Sequence, residues 1–283
     1  SPTPPLPDSD IEQFMWDRLR KEFYFQNISA DVLAYIYENT LITPETRERF
    51  GVHRTPYFVA DYVVRNLPIE EIPYENRYVF EPCAGHAVFL VAAMRRLREQ
   101  LPTELEFSVQ HQYLVDHLRG MELDRFAIEV ARLSLMLADY PNPNGWHIYE
   151  GDVFADDNLD RNIENATIVL CNPPFEDFTD EERDRYGDML QSVHKPAQLL
   201  SQVLTSQSVE MLGFVLPEKF KDGIGYRDVR QNVANHFDNL ELVALPDKVF
   251  QYSDAESTLL LAYGRSETKR SASNVRCSEV ENV

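Results

Sequence analysis

The sequence predicts an α/β fold. Its expected form is a doubly wound, mostly parallel sheet of about seven strands, ending in an antiparallel hairpin and preceded by a helical region. Three observations carry this expectation. From Tyr78 onward, short apolar, β-branched runs alternate with stretches of helical periodicity. The last two apolar runs have no helical pattern between them, which favours antiparallel pairing. Hydrophobic residues make up 43% of the 283 positions, enough for a sizeable core.

Taken in order, residues 8 to 50 read as helical. Ile11, Phe14, Met15 and Leu19 recur at helical spacing, the run Asp31 to Tyr37 continues the style, and Thr43-Pro44-Glu45 resembles a helix start. The domain proper is expected over 51–265. Tyr78-Val79-Phe80 is the first strand, and Ala87 to Leu101 a helix that stops before Pro102. His117 to Leu123 contains the second strand, followed by a helix from Arg125 to Ala138. His147-Ile148-Tyr149 is the third strand, Ala166 to Leu170 the fourth, and Met211 to Pro217 the fifth. Leu240 to Leu245 and Ser257 to Tyr263 form the closing pair. The stretch 266–283 reads as a polar, frayed tail.

Bulk chemistry narrows the function classes. No apolar run approaches the length of a membrane span. The three cysteines, Cys83, Cys171 and Cys277, form no CxxC pair, and no histidines stand at metal-ligand spacing. A reduced, cytoplasmic protein without a metal is expected. The net charge of −20 repels polyanions, so a nucleic-acid partner would have to be gripped partly from outside this chain.

The most informative stretch is Asn172-Pro173-Pro174-Phe175, at the end of the fourth strand. The Asn172 side-chain oxygen and the Pro173 carbonyl suit an exocyclic amine donor. The two prolines stiffen the turn and remove two backbone donors. Phe175 offers a face on which a planar base can stack. The plainer alternative is a strand-to-loop turn with a packing aromatic.

Similar reasoning applies at the other strand ends. Glu81-Pro82-Cys83-Ala84-Gly85-His86-Ala87 follows the first strand and enters a helix, where ligands sit in doubly wound sheets. Glu122, followed by Leu123, ends the second strand and is placed to accept ribose hydroxyls, with Asp124 the lesser candidate. Gly151-Asp152-Val153 follows the third strand. Asp152 can accept from an adenine amine, and Val153 can pack on the ring. Upstream, Thr55-Pro56 reads either as a helix cap or as a turn that meets a ligand.

Together these stretches resemble the amino-methylating DNA methyltransferases. Asn172 to Phe175 matches their NPPF tetrapeptide. Glu81 to Leu90 is similar to their D-P-A-C-G-S-G-x-F-L loop, with His86 and Ala87 in place of the small polar residue and the second glycine. Gly51 to Pro56 resembles their G-x-x-x-T-P motif. The order, Thr-Pro motif first, is that of the gamma class, which includes type I modification subunits and fused restriction–modification enzymes.

The resemblance, over about residues 45 to 263, implies a Rossmann-like methyltransferase sheet and transfer of a methyl group from S-adenosylmethionine to adenine N6. It assigns catalysis to Asn172, Pro173, Pro174 and Phe175. It assigns cofactor binding to Thr55, Pro56, Glu81, Pro82, Cys83, Gly85, Glu122, Leu123, Asp152, Val153 and Asn172. The implied substrate is duplex DNA with a flipped adenine, and the setting is the prokaryotic cytoplasm, in restriction–modification or phage defence. A target-recognition domain or specificity subunit outside this chain is expected, because only about twenty polar residues follow Tyr263. Lys219, Lys221, Arg227 and Arg230 form the best basic cluster. Cytosine-N4, RNA and protein-glutamine methyltransferases remain open, as does a non-catalytic methyltransferase-like scaffold.

Overall fold

The computed structural model describes residues 55–280 apart from 143, 156, 247–248, 250–255, 267–271 and 273. The expected N-terminal helical region and Gly51 lie outside the described residues.

Among the described residues, eight strands form: β1 (Val79–Glu81), β2 (Leu118–Glu122), β3 (His147–Glu150), β4 (Ile168–Cys171), β5 (Met211–Pro217), β6 (Phe237–Ala244), β7 (Ser257–Arg265) and β8 (Asn274–Glu279). They form one sheet in the order β3-β2-β1-β4-β5-β7-β6-β8. The first five strands are mutually parallel, and the order reverses between β1 and β4. β7 inserts antiparallel between β5 and β6, so the expected closing hairpin is present.

The expectation of a frayed tail misses β8. This strand pairs parallel with β6, from Asn239 opposite Asn274 to Ala244 opposite Glu279. Every β8 residue is exposed, and its short Asn-Val-Arg-Cys-Ser-Glu stretch holds no apolar run that would mark a buried strand.

Helices cover both faces. On one face lie α1 (Tyr57–Asn66), α2 (Val88–Glu99), α3 (Phe107–His117) and α4 (Arg125–Ala138). Their apolar sides meet Val79, Ile168, Leu170, Met211 and Leu261. On the other face lie α5 (Asn158–Ile163), α7 (Lys195–Thr205) and α8 (Arg227–His236), against Phe80, Val169, Phe214 and Leu260. Between β4 and α7, a short helix α6 (Asp180–Tyr186) opens with a Thr179–Glu182 capping box. β-Strand side chains alternate between faces, so one strand supplies both cores. Consecutive residues of β4 show this: Leu170 joins the first core and Cys171 the second.

Helix α1 crosses close over β5. A Cβ on Gly213 would overlap Val63 Cγ1 and lie 2.8 Å from Leu170 Cδ2. The missing side chain lets the helix approach the strand, which brings residue 55 to the end of β4.

Candidate active site

The parallel strands end on one rim, which carries Asn172, the loop after β1, Glu122 and Asp152. At the end of β4, the Asn172 side-chain amide donates to Thr55 Oγ1 at 2.9 Å. Thr55 is buried, and α1 makes no side-chain cap bond at its start. The Thr hydroxyl therefore serves the asparagine rather than capping the helix. With Nδ2 committed to Thr55, the amide plane is fixed and Oδ1 is its opposite, accepting edge. Pro173 is buried, Pro174 is half-buried, and Phe175 packs on the edge of the first core while keeping part of its surface open.

The loop after β1 sits between β2 and the start of α2. Ala84 N donates to Met121 O at 2.9 Å, tying the loop to the neighbouring strand. A Cβ on Gly120 would lie 2.9 Å from Ile148 and 3.2 Å from Ala84, so β2 needs glycine under the loop. Gly85 adopts φ +51°, and a Cβ there would point into open space. That gap leaves the Gly85 backbone open to close approach.

Ala87 has φ 64° and ψ 37°, a left-handed conformation, and it is fully buried. Among the described residues it is the non-glycine at positive φ. The departure from glycine at this position therefore carries strain, because a Cβ in this region costs about 1–2 kcal/mol.

Glu81 turns under the loop rather than towards the rim. It is 1% exposed, and its Oε2 accepts from Leu90 N at 3.1 Å in the first turn of α2. Burial pushes its carboxyl well above the usual range, against the opposing pull of the Leu90 and Phe89 amides. The acid anchors the helix start from inside. Cys83 is half-buried beside the buried Cys171, and burial pushes the Cys171 thiol up.

At the end of β2, Glu122 is a clamp. Its Oε2 accepts from Gly85 N at 2.8 Å, and its Oε1 accepts from Leu123 N and Asp124 N at 2.8 and 2.9 Å. Burial raises its carboxyl while these amides pull the other way. Three of a carboxylate's roughly four acceptor directions are used, so one remains for a further donor. Leu123 is exposed beside it. Asp124 is removed from the ligand side, since its Oδ1 caps α4 by accepting from Phe126 N and Ala127 N.

At the end of β3, Asp152 accepts from Phe154 N at 3.0 Å and from the Tyr186 hydroxyl at 2.6 Å, with Arg185 3.5 Å away. Val153 is buried in the second core. Tyr186 and Arg185 come from α6, and sequence reasoning missed them. A partner 34 residues away, in a helix of charged residues, leaves no local signal.

Glu176 and Asp177, which follow directly on the tetrapeptide, also have defined places. Asp177 Oδ1 pairs with His194 Nδ1 at 2.5 Å, and the two residues form a β-bridge that closes the segment. Glu176 is half-buried, and burial raises its carboxyl, partly offset by the charge of Lys195. In the basic cluster, Lys221 pairs with Glu218 at 2.7 Å, and Arg230 turns inward to the Phe220 and Gly223 carbonyls. Among the described residues, no group of acidic, His and Cys side chains has the arrangement of a metal site. No helix among them is long and apolar enough to cross a membrane.

Residues 28–275 match the family model described as N-6 DNA Methylase. Over 112 residues, 38% of this chain, the sequence is 25% identical to an adenine-specific methyltransferase, PglX, of Streptomyces coelicolor, of which the match covers 9%. The fold is similar to a modification subunit of a type I restriction enzyme, so described as putative, from Vibrio vulnificus. The TM-score is 0.66 and the identity 18%, with 95% of this chain and 56% of that chain covered. A class I S-adenosylmethionine-dependent methyltransferase of Listeria monocytogenes, also described as putative, aligns with TM-score 0.66 and 14% identity over 96% of this chain and 80% of that one. The chain thus spans a small part of the curated relative and little over half of the Vibrio subunit.

Proposed function

The chain belongs to the N-6 DNA methylase family, and from that membership we propose that it transfers a methyl group from S-adenosylmethionine to adenine N6 in DNA. The observation that carries the reading is the Thr55–Asn172 hydrogen bond at 2.9 Å. It fixes the plane of a carboxamide at the end of β4, directly before two prolines and a partly open phenylalanine. An adenine amine is a weak nucleophile because its lone pair is delocalised into the ring. Two acceptors, Asn172 Oδ1 and the Pro173 carbonyl, favour a pyramidal nitrogen whose lone pair is available. Phe175 stacks the ring, so the base is held in plane while the amine is turned.

The residues around the Gly85 gap fit the cofactor. Gly85 leaves room for close approach, Glu122 has one acceptor direction left for a ribose hydroxyl, and Asp152, at the end of the neighbouring strand, is the acceptor we assign to the adenine amine, with Val153 beside it in the chain. S-Adenosylmethionine, when bound, supplies a methyl group on a positively charged sulfur that leaves readily. Positioning therefore supplies most of the rate, and no covalent link to the protein is required. A base inside a duplex cannot reach this rim, so the target adenine must be flipped out. A recognition domain or subunit outside this chain supplies the sequence-reading contacts and the basic surface that a chain of net charge −20 lacks.

The test combines calorimetric titration with S-adenosylmethionine and methyl-transfer assays. Asn172→Ala abolishes transfer and lowers cofactor affinity less than Asp152→Ala does, whereas Asp152→Ala weakens cofactor binding by about tenfold or more, on the order of one to two lost hydrogen bonds. Transfer that survives Asn172→Ala overturns the mechanism. Cofactor affinity untouched by Asp152→Ala overturns the placement.

A further inference from the structure

The turn after β5 carries an apolar side chain that the fold does not use. Ile224 is 91% exposed, the highest value among the exposed large hydrophobic residues described. Single exposed apolar residues are common on protein surfaces. This one differs in how it is held. Phe220 and Tyr226, on either side, are buried to 2% and 4%. Arg230 Nη1 donates to the carbonyls of Phe220 and Gly223 at 2.7 and 2.9 Å, and Gly223 N donates to Lys219 O at 2.8 Å. A Cβ on Gly223 would lie 2.5 Å from that same carbonyl, so the turn closes only with glycine there. The result is a stiff Gly-Ile-Gly tip with one side chain projected outward.

The tip is also tied to the catalytic turn. A Cβ on Gly225 would overlap the His194 imidazole, which stacks on Tyr226 at 5.0 Å and 9°. His194 pairs with Asp177, two residues beyond Phe175. β4 and β5 are parallel neighbours, with Cys171 opposite Phe214, so both turns leave the same rim. Lys219 and Arg227, on either side of the tip, are exposed.

We propose that Ile224 is the wedge that enters the base stack of duplex DNA at the position the target adenine vacates. The proposal rests on the adenine-transfer reading above. Flipping a base leaves a gap, and an apolar side chain of this size fills it and offsets lost stacking. A wedge must be rigid relative to the pocket that takes the base, and the Asp177–His194–Tyr226 contacts supply that rigidity.

The protein, purified with its recognition partner, is first used to map methylated adenines. A duplex is then made with a mapped adenine either paired to thymine or opposite an abasic site. Ile224→Ala is expected to slow transfer on the paired duplex by roughly tenfold or more. On the abasic duplex, where flipping is nearly free, its rate should lie within about twofold of wild type. Ile224→Leu should restore the paired rate, and 2-aminopurine at the target should report less flipping with Ile224→Ala.

Equal losses on both duplexes, or no loss on either, overturn the wedge while leaving the transfer reading intact. A wild-type protein that methylates neither DNA, although folded, overturns the transfer reading and the wedge with it.

Discussion

Ala87 is where a residue and its backbone disagree. Its φ of 64° suits glycine, its side chain is fully buried, and it stands at the entrance to α2. Ala87→Gly removes the clash between Cβ and the preceding backbone and adds freedom to the unfolded chain. The first effect dominates, for a net stabilisation of about 1 kcal/mol. A melting curve should move up by about 2–4 °C. Glu81 sets a pH dependence of known sign. Its folded pKa is raised by burial, so its contribution is fully present below the ordinary glutamate range and is lost as pH rises towards the raised value. Glu81→Gln keeps an acceptor for the Leu90 amide but cannot ionise. The melting temperature of the variant minus that of the wild type should therefore grow as pH rises above the ordinary glutamate range, and a constant difference would contradict this account. Both positions were legible in the sequence as departures or matches within one loop. The direction in which Glu81 points was not, because a strand-end acid carries no signal for inside or outside.

At the scale of elements, the strand ends were readable because each carries chemistry that a turn does not need. Asn172-Pro173-Pro174-Phe175 and Gly85 are examples. The joining pieces were not readable. α6 is built of Asp, Glu, Arg and Tyr with a capping box as its main local cue, and it nonetheless places Tyr186 on Asp152. β8 is exposed at every position and is defined only by its pairing with β6. The packing of α1 on β5 has a single-residue signature. Gly213→Ala would push Val63 and Leu170 aside at a cost of about 1–3 kcal/mol. Since α1 follows directly on Thr55, the shift also disturbs the hydroxyl that orients Asn172. The expected outcome is a fall in transfer rate larger than the fall in cofactor affinity, read by kcat against the calorimetric Kd.

Across the whole molecule, the sheet order gathers the ends of five parallel strands on one rim, while the net charge of −20 works against a polyanionic partner. The chain alone should therefore bind duplex DNA no more tightly than about 10⁻⁴ M at physiological salt, the weak end of non-specific binding. Cofactor affinity should change less than twofold between 50 and 500 mM salt, because its acceptors are partly buried and local. Micromolar DNA binding by the isolated chain would contradict this. The charge was plain in the sequence, whereas the inward turn of Arg230, which removes one cation from the apparent basic cluster, was not.

The bond from Asn172 to Thr55 joins groups 117 residues apart. On the ribosome the threonine emerges long before the asparagine. The helix that follows it finds its seat only when Gly213, later still, has left the exit tunnel. The Asn172 amide is thus set in place only once β5 has emerged, and a nascent chain halted before β5 carries the whole tetrapeptide without the means to aim it.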